Sequence, residues 1–345
     1  MSAPGSVRAE RSSDVEGLDA IMRRGGESLR ELMARTEQHL ERVTAEAGEP
    51  LAAHAHAAIG GGGKRLRPLL VVLAAESAGG PPPGKDGEER LVRAAVAVEL
   101  VHSATLVHDD LIDGAQLRRG RPTVAAVAGR EVAVATGDLL FSRAFAELAR
   151  NESATQLLAL SDASSALAAG ELLQREDCYA ADVAVERYLR RCELKTAALF
   201  EAACRLGALT AAAGSTALAD ALGAFARGIG LAFQMLDDVL DVSGPVERTG
   251  KSRGTDLLDG TVTLPLILAR ERDSELARFD LAGLDGPEQA ERLCERIAAT
   301  GALDEARERA LAVVAEAKAA LPTILPDGRA ALLELVADSV VERYR

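Results

Sequence analysis

The chain has 345 residues, 48% of them hydrophobic, enough to bury the core of one large domain or two ordinary ones. Aromatic residues make up only 3%, tryptophan is absent, and Ala, Leu, Val, Glu and Arg are abundant, so the composition favours helix and predicts an all-α fold. A formal net charge of −13 argues against a nucleic-acid partner, because phosphate backbones are held by surplus Lys and Arg.

Residues 1–17 are small and polar and are expected to form a disordered tail, leaving 18–345 as the folded domain. They contain no apolar segment of a signal peptide, and no later stretch approaches the ~18 uncharged apolar residues of a membrane span, so a cytoplasmic chain with no integral membrane segment is expected. Apolar residues recurring at three and four begin a helical pattern near Leu18. The glycine run Gly60–Gly63 ends a helix and introduces KRLRP; Ala78–Glu89, rich in Pro and Gly, is a loop whose acidic end suits a helix start. One long helix then runs to Asp113. Further helices are predicted over Val124–Asn151, Ser153–Arg175, Val183–Ala213 and Ala217–Val242, and from Leu264 to the C-terminus with breaks. Between the last two lies one long polar loop, 243–265, of the kind that is usually a functional lid or disorder. No repeat of solenoid period is present. Cys178, Cys192, Cys204 and Cys294 form no CxxC pair and no metal-ligand spacing, and are expected to be buried free thiols in a reducing cytosol.

Two predicted helices carry the same acidic triplet: LVHDDLID places Asp109, Asp110 and Asp113, and MLDDVLDV places Asp237, Asp238 and Asp241. Residues four apart on a helix share a face, so each triplet presents its carboxylates on one side. A single DDxxD is more often a solvated helix face. Here both triplets follow core-like residues (Thr105, Leu106, Val107; Phe233, Met235, Leu236), and anions at the edge of an apolar interior need cations. An all-oxygen set selects a hard ion, and Mg²⁺ takes one or two carboxylates while bridging to substrate phosphates. Two such faces opposed across a cavity would hold a metal–diphosphate between them. Basic candidates for the phosphates exist: Lys64, Arg65 and Arg67 in GGGKRLRP, Arg118 and Arg119 after the first triplet, Lys195 with Thr196 in ELKTAA, and Lys251 and Arg253 in the long loop. The glycine run is no P-loop, since no Ser or Thr follows the lysine and no strand precedes it. His102, seven residues before Asp109 and nearly on its face, is either a satisfied core histidine or a hydrogen-bond donor to a diphosphate. His108 before the aspartates makes no zinc site, because the other ligands are missing.

Together these residues resemble the trans-isoprenyl diphosphate synthases, the polyprenyl synthetase family. The resemblance spans residues 50 to 270 and rests on ordered motifs: GGKRLRP, DDxxD followed by RRGxPT, GExxQ at Gly170–Gln174, KT at Lys195, FQxxDDxxD at Phe233–Asp241, and a GK…GTDL…TLP loop. It implies a single all-α bundle around a deep central cavity, a homodimer, and the Mg²⁺-dependent condensation of isopentenyl diphosphate with an allylic prenyl diphosphate. By the same resemblance Asp109, Asp113 and Asp237 bind metal with Asp110, Asp238 and Asp241 in support. Arg118, Lys195, Thr196, Gln234 and Lys251 hold the allylic diphosphate, and Lys64, Arg67, His102 and Arg119 bind isopentenyl diphosphate. Thr261 stands where family members often carry a lysine. Bulky aromatics four and five residues before the first motif shorten products in this family; here those positions are Thr105 and Ala104, with Val101 a turn below. Their small size implies an all-trans product of the heptaprenyl to decaprenyl class used for quinone side chains, with Ala104→Phe expected to shorten it. If Phe141 or Phe145 supplies the floor, the product is geranylgeranyl diphosphate. A terpene cyclase would need neither the GGKR site nor a second DDxxD. A catalytically silent regulatory partner of a synthase would be expected to have lost metal or phosphate residues.

Overall fold

The computed structural model describes residues 11–60, 63–212, 214–244, 253–325 and 328–342. Helices α1 (Arg11–Arg24), α2 (Gly26–Ala45), α3 (Leu51–Gly60) and α4 (Leu66–Ser77) lead into the long α5 (Lys85–Ile112). A minimal antiparallel hairpin, β1 (Leu117–Arg118) with β2 (Arg121–Pro122), follows; Leu117 pairs with Pro122. Then come α6 (Val124–Ala128), α7 (Arg130–Ala149), α8 (Ala154–Asp177), α9 (Val185–Cys192), a π-helical turn Glu193–Ala197, α10 (Ala198–Thr210) and α11 (Thr216–Ser243). The chain continues through α12 (Thr255–Leu258), α13 (Leu264–Arg272), α14 (Ser274–Arg278), a 3₁₀ turn Leu281–Gly283, α15 (Gly286–Ala299), α16 (Ala302–Ile324) and α17 (Ala331–Glu342). The all-α expectation holds.

Helices α4 and α5 are apolar nearly all round, the pattern of fully buried helices. Leu69 to Ala75 of α4 and Ala94 to Val98 of α5 have no accessible surface. Around them α7 packs on α5, α10 on α4, α8, α5 and α11, and α16 on α11. The predicted breaks are refined at three places. Gly129, at φ 88°, divides the predicted Val124–Asn151 helix into α6 and α7, because only glycine adopts that conformation cheaply. The predicted Val183–Ala213 helix carries a π turn in its middle. Helix begins at Arg11, ahead of the expected Leu18, because α1 docks on α17 and buries Ile21; residues 1–10 of the expected tail lie outside the described residues.

Two further expectations need correcting. By length and composition, α5 and α11 are each long and apolar enough to cross a membrane. In this fold they are central helices; 72% of the most apolar window of α5 and 44% of that of α11 is buried inside the bundle. Cys192, Cys204 and Cys294 are buried free thiols, whereas Cys178, just past the C-terminal end of α8, is only half-buried.

Helix α2 is tied to α7 by a buried polar group. Arg42 donates to His39 Nδ1 (2.8 Å), which leaves the proton on Nε2 to be donated to Glu147 Oε2 (2.8 Å). Burial pushes the Glu147 carboxyl up, but His39, Arg150 and Arg93 outweigh it and hold the pKa below the usual range. The tie is therefore at full strength at neutral pH and is lost as acid protonates Glu147. His39→Leu strips a donor from a carboxylate that is 2% exposed, and is expected to lower unfolding free energy by about 3 kcal/mol in denaturant titration. A loss below about 1 kcal/mol would mean the contact does not tie the helices.

Candidate active site

The first aspartates sit at the C-terminal end of α5. Its partly accessible strip, His102, Thr105, Leu106 and Asp109, follows the three-and-four spacing of one helix face, while Val101 and Ala104 have no accessible surface. Each acid of this end has a basic neighbour. Arg118, from the hairpin, donates to Asp110 (2.6 Å), and Arg175 of α8 bonds Asp113. Lys195 bonds Glu171, which also accepts from Arg175 (3.2 Å). Asp109 lies among Lys195, Arg118, Glu171 and Asp113; burial raises its pKa to about 6, against the pull of Lys195.

Lys195 lies in the π turn Glu193–Ala197. The backbone there is pressed against α8: a Cβ at Gly170 would stand 2.6 Å from the Lys195 nitrogen, so the glycine of GELLQ is a packing requirement. The next residue, Thr196, turns to the second triplet. Its hydroxyl donates to Gln234 Oε1 (2.7 Å), and Gln234 Nε2 donates to Asp238 Oδ1 (2.8 Å). Tyr188 Oη donates to the other oxygen of Asp238 (2.7 Å). Burial, with the charge of Asp256 added, raises the Asp238 pKa to about 8. Asp241 accepts from the Asp256 amide (3.2 Å), and its carbonyl accepts from Gly254 (3.0 Å). Burial raises its pKa to about 6 against that amide bond. One π turn thus joins the two acidic ends, with Lys195 facing Asp109 and Thr196 facing the Gln234–Asp238 pair.

A basic cluster flanks the first end. His102 lies among Arg67, Arg119, Arg118 and Arg65; burial first, then these charges, push its pKa well below the ordinary value, so the ring is neutral. Burial brings Arg67 down to about 10, its Nε is buried without a partner, and its guanidinium lies 4.9 Å from the Phe200 ring centroid. Glu99 is 3% exposed; burial raises its pKa against Arg65, Arg67 and Arg119. Arg65 differs from its neighbours in KRLRP. It takes a left-handed conformation (φ 49°) and bonds Glu37 through Nε and Nη2, Glu99 through Nη1 (all 2.8 Å), and the Ile59 carbonyl (2.9 Å). Burial opposes its charge, yet the Glu37 and Glu99 bonds prevail and raise its pKa. Arg65 is thus engaged by protein. Beside it, a Cβ at Gly63 would stand 3.2 Å from an Arg119 nitrogen, so the glycine admits Arg119 to the cluster.

The structure brings together Arg67, His102, Arg118 and Arg119 on one side and Lys195, Thr196, Gln234 and the aspartates on the other. Lys64 is exposed at the edge, and Lys251 lies outside the described residues. Arg253, expected as a phosphate ligand, instead bonds Glu291 (2.7 Å) and the Val242 carbonyl. The Thr261 amide bonds the Asp256 carbonyl (2.8 Å). Glu99, Glu171, Arg175 and Tyr188 are participants that the sequence reading missed. Glu99, three residues before His102 in an apolar run, and the Glu171/Arg175 pair, four apart beside the GELLQ glycine, carried a visible signal; Tyr188 carried none.

Among the described residues no three His, Cys, Asp or Glu side chains converge on one point. Mg²⁺ takes one or two carboxylates and completes its shell with water and phosphate, so it does not require such a cluster. The donors are all oxygens, and the enclosed Asp109 carries a charge that its surroundings under-compensate, so the residues fit such an ion.

A family model described as polyprenyl synthetase matches residues 49–298. The chain is 45% identical over 183 residues to heptaprenyl diphosphate synthase component 2 of Geobacillus stearothermophilus, covering 52% of this chain and 56%, about half, of that relative. It is 37% identical over 255 residues to a geranylgeranyl diphosphate synthase of Methanosarcina mazei, covering 72% of this chain and 78% of the relative. A crystal structure of a polyprenyl synthase from Caulobacter crescentus, complexed with calcium and isoprenyl diphosphate, superposes with a TM-score of 0.84 at 35% identity, covering 94% of this chain and 97% of that one.

Proposed function

Since the chain belongs to the polyprenyl synthetase family, whose members are prenyl diphosphate synthases, we propose that it condenses isopentenyl diphosphate with an allylic prenyl diphosphate in a Mg²⁺-dependent reaction. The observation that carries this reading is the π turn whose Lys195 faces one aspartate end while Thr196 faces the other, beside a separate basic cluster around a neutral histidine. An acidic end that would hold metal, and beside it a basic cluster around a neutral histidine, match two diphosphate substrates of different fates.

In this reading Asp109, Asp113, Asp237 and Asp241 would hold Mg²⁺, which would supply positive charge to stabilise the departing allylic diphosphate. Lys195 and Arg118 exchange their carboxylate partners for that diphosphate, and Thr196 and Gln234 orient it. Arg67, Arg119 and Lys64 bind isopentenyl diphosphate, and neutral His102 donates to it without adding charge. Its double bond attacks the allylic cation, and a proton leaves to the released pyrophosphate. No covalent enzyme intermediate is needed.

For chain length we favour an all-trans product of the heptaprenyl to decaprenyl class, acting in the cytoplasm toward quinone side chains. Thr105 is the small, partly accessible residue one turn below Asp109, and the Phe141 ring, the alternative floor for a geranylgeranyl product, packs against His108 at 5.9 Å between ring centroids. The assembly proposed is a homodimer through α8, a helix whose outer face exposes Leu158, Ser165, Ala168, Ala169 and Leu172.

The test is incubation with Mg²⁺, labelled isopentenyl diphosphate and dimethylallyl, geranyl, farnesyl or geranylgeranyl diphosphate in separate tubes, with chain-length analysis. Elongation to products beyond geranylgeranyl is expected. No consumption of isopentenyl diphosphate by folded protein with any primer would sink the synthase reading and favour a cyclase or a silent subunit.

A further inference from the structure

Both oxygens of Asp238 are taken up by side chains of the protein. Oδ1 accepts from Gln234 (2.8 Å) and Oδ2 from Tyr188 (2.7 Å), and the residue is 4% exposed. It sits between Asp237 and Asp241 on the same turns of α11, so whatever fixes Asp238 fixes the rotation of that helix end. The tyrosine that holds it has no accessible surface. A phenylalanine would fill the same volume, so the hydroxyl is there for a polar task.

The helix that carries Tyr188 is itself anchored. Arg191, one turn on, bonds Asp177 at the end of α8 (3.1 Å) and the Val262 carbonyl, and its guanidinium lies 5.4 Å from the Tyr188 ring centroid. Asp177 is 2% exposed and also binds Arg187. One turn of α9 therefore links the end of α8, the segment after α12 and the middle aspartate of the second triplet. The Tyr188 hydroxyl is a donor on a rigid mount aimed at a single carboxylate.

Resting on the synthase reading above, we propose that Tyr188 is a positioning residue: its hydroxyl, with Gln234, pins Asp238 so that Asp237 and Asp241 present their carboxylates to metal and diphosphate. Tyr188 touches no substrate in this assignment; it acts through α11. Carboxylates behind a metal site commonly work this way, and losing such a support typically lowers metal affinity or activity by about 10–100-fold.

The experiment compares wild type with Tyr188→Phe, which keeps the ring and removes only the hydroxyl. Thermal stabilisation is titrated with Mn²⁺ at fixed inorganic pyrophosphate, and steady-state elongation is measured beside it. The Mn²⁺ concentration for half-maximal stabilisation is expected to rise about tenfold or more, and kcat to fall by a similar factor. KM for isopentenyl diphosphate stays within twofold, because that substrate is assigned to the basic cluster around His102. An unchanged Mn²⁺ response with unchanged kcat overturns the positioning role and leaves the synthase reading standing. A wild type that responds to Mn²⁺ and pyrophosphate but elongates nothing overturns the synthase reading, while a shifted Tyr188→Phe titration still supports the pin. Should Tyr188→Phe not fold, Gln234→Leu removes the other donor from the same carboxylate and is read by the same Mn²⁺ titration.

Discussion

Replacing Asp109 by asparagine lowers the rate of elongation by about 10³-fold or more, and raises the thermal midpoint of the metal-free protein. Both effects have one cause. In the ligand-free fold, burial raises the Asp109 pKa to about 6, with Lys195 compensating only in part. An acid whose folded pKa lies above its unfolded value adds stability only below the unfolded value, and loses it as pH rises through the folded one. At pH 7.5 the ionised Asp109 therefore opposes folding, by up to about 2–3 kcal/mol. Asparagine keeps the shape and removes that opposition, for a rise of about 2–5 °C in chelator. It also removes the anion that a metal–diphosphate needs. Turnover assays and thermal melts in EDTA on the same preparation check both halves. Retained activity would exclude Asp109 as a metal ligand, and a falling midpoint would mean that its charge is stabilising in the empty site.

Thr105→Phe is expected to convert a long-chain product into one of farnesyl or geranylgeranyl length, seen by mass analysis of dephosphorylated products. Thr105 lies one turn below Asp109 on the accessible strip of α5, and its hydroxyl is turned back to the His102 carbonyl (2.8 Å), so its outward side is methyl and small. A phenyl ring there enters the path of the growing chain. Ala104→Phe shortens the product too, but at a cost in stability that Thr105→Phe does not carry. Ala104 has no accessible surface, so a ring must displace packed neighbours, lowering stability by about 1–3 kcal/mol. Unaltered product length in both variants would place the floor on another helix, with α7 next to be tested.

Much of the site was legible because it is local. Aspartates four apart on an apolar helix, a basic run after glycines, and lysine with threonine in ELKTAA each declare their chemistry within one or two turns. The parts that were not legible are those made by distant pairing. Glu37 and Arg65 meet across the start of α4, and Tyr188 meets Asp238 from helices fifty residues apart in sequence. Neither partner has an unusual neighbourhood in its own segment. The π turn was also invisible, since ELKTA fits an α-helix by propensity, and only the fit against Gly170 and Gln234 distinguishes it. The long helices α5 and α11 read differently in sequence because Arg93 and Glu99, and Asp220 and Arg227, interrupt stretches that are apolar on average.

The ion pairs of the first aspartate end, Arg118 with Asp110, Arg175 with Asp113 and Lys195 with Glu171, also constrain how this sequence can change over time. A lineage that loses one member strands its partner's charge in a partly enclosed site, so a single step is disfavoured even where catalysis is no longer under selection. Acid and base are then expected to disappear together, as compensated doublets. A descendant that had become a non-catalytic subunit would carry that record as vanished pairs, with the surrounding helices almost unaltered.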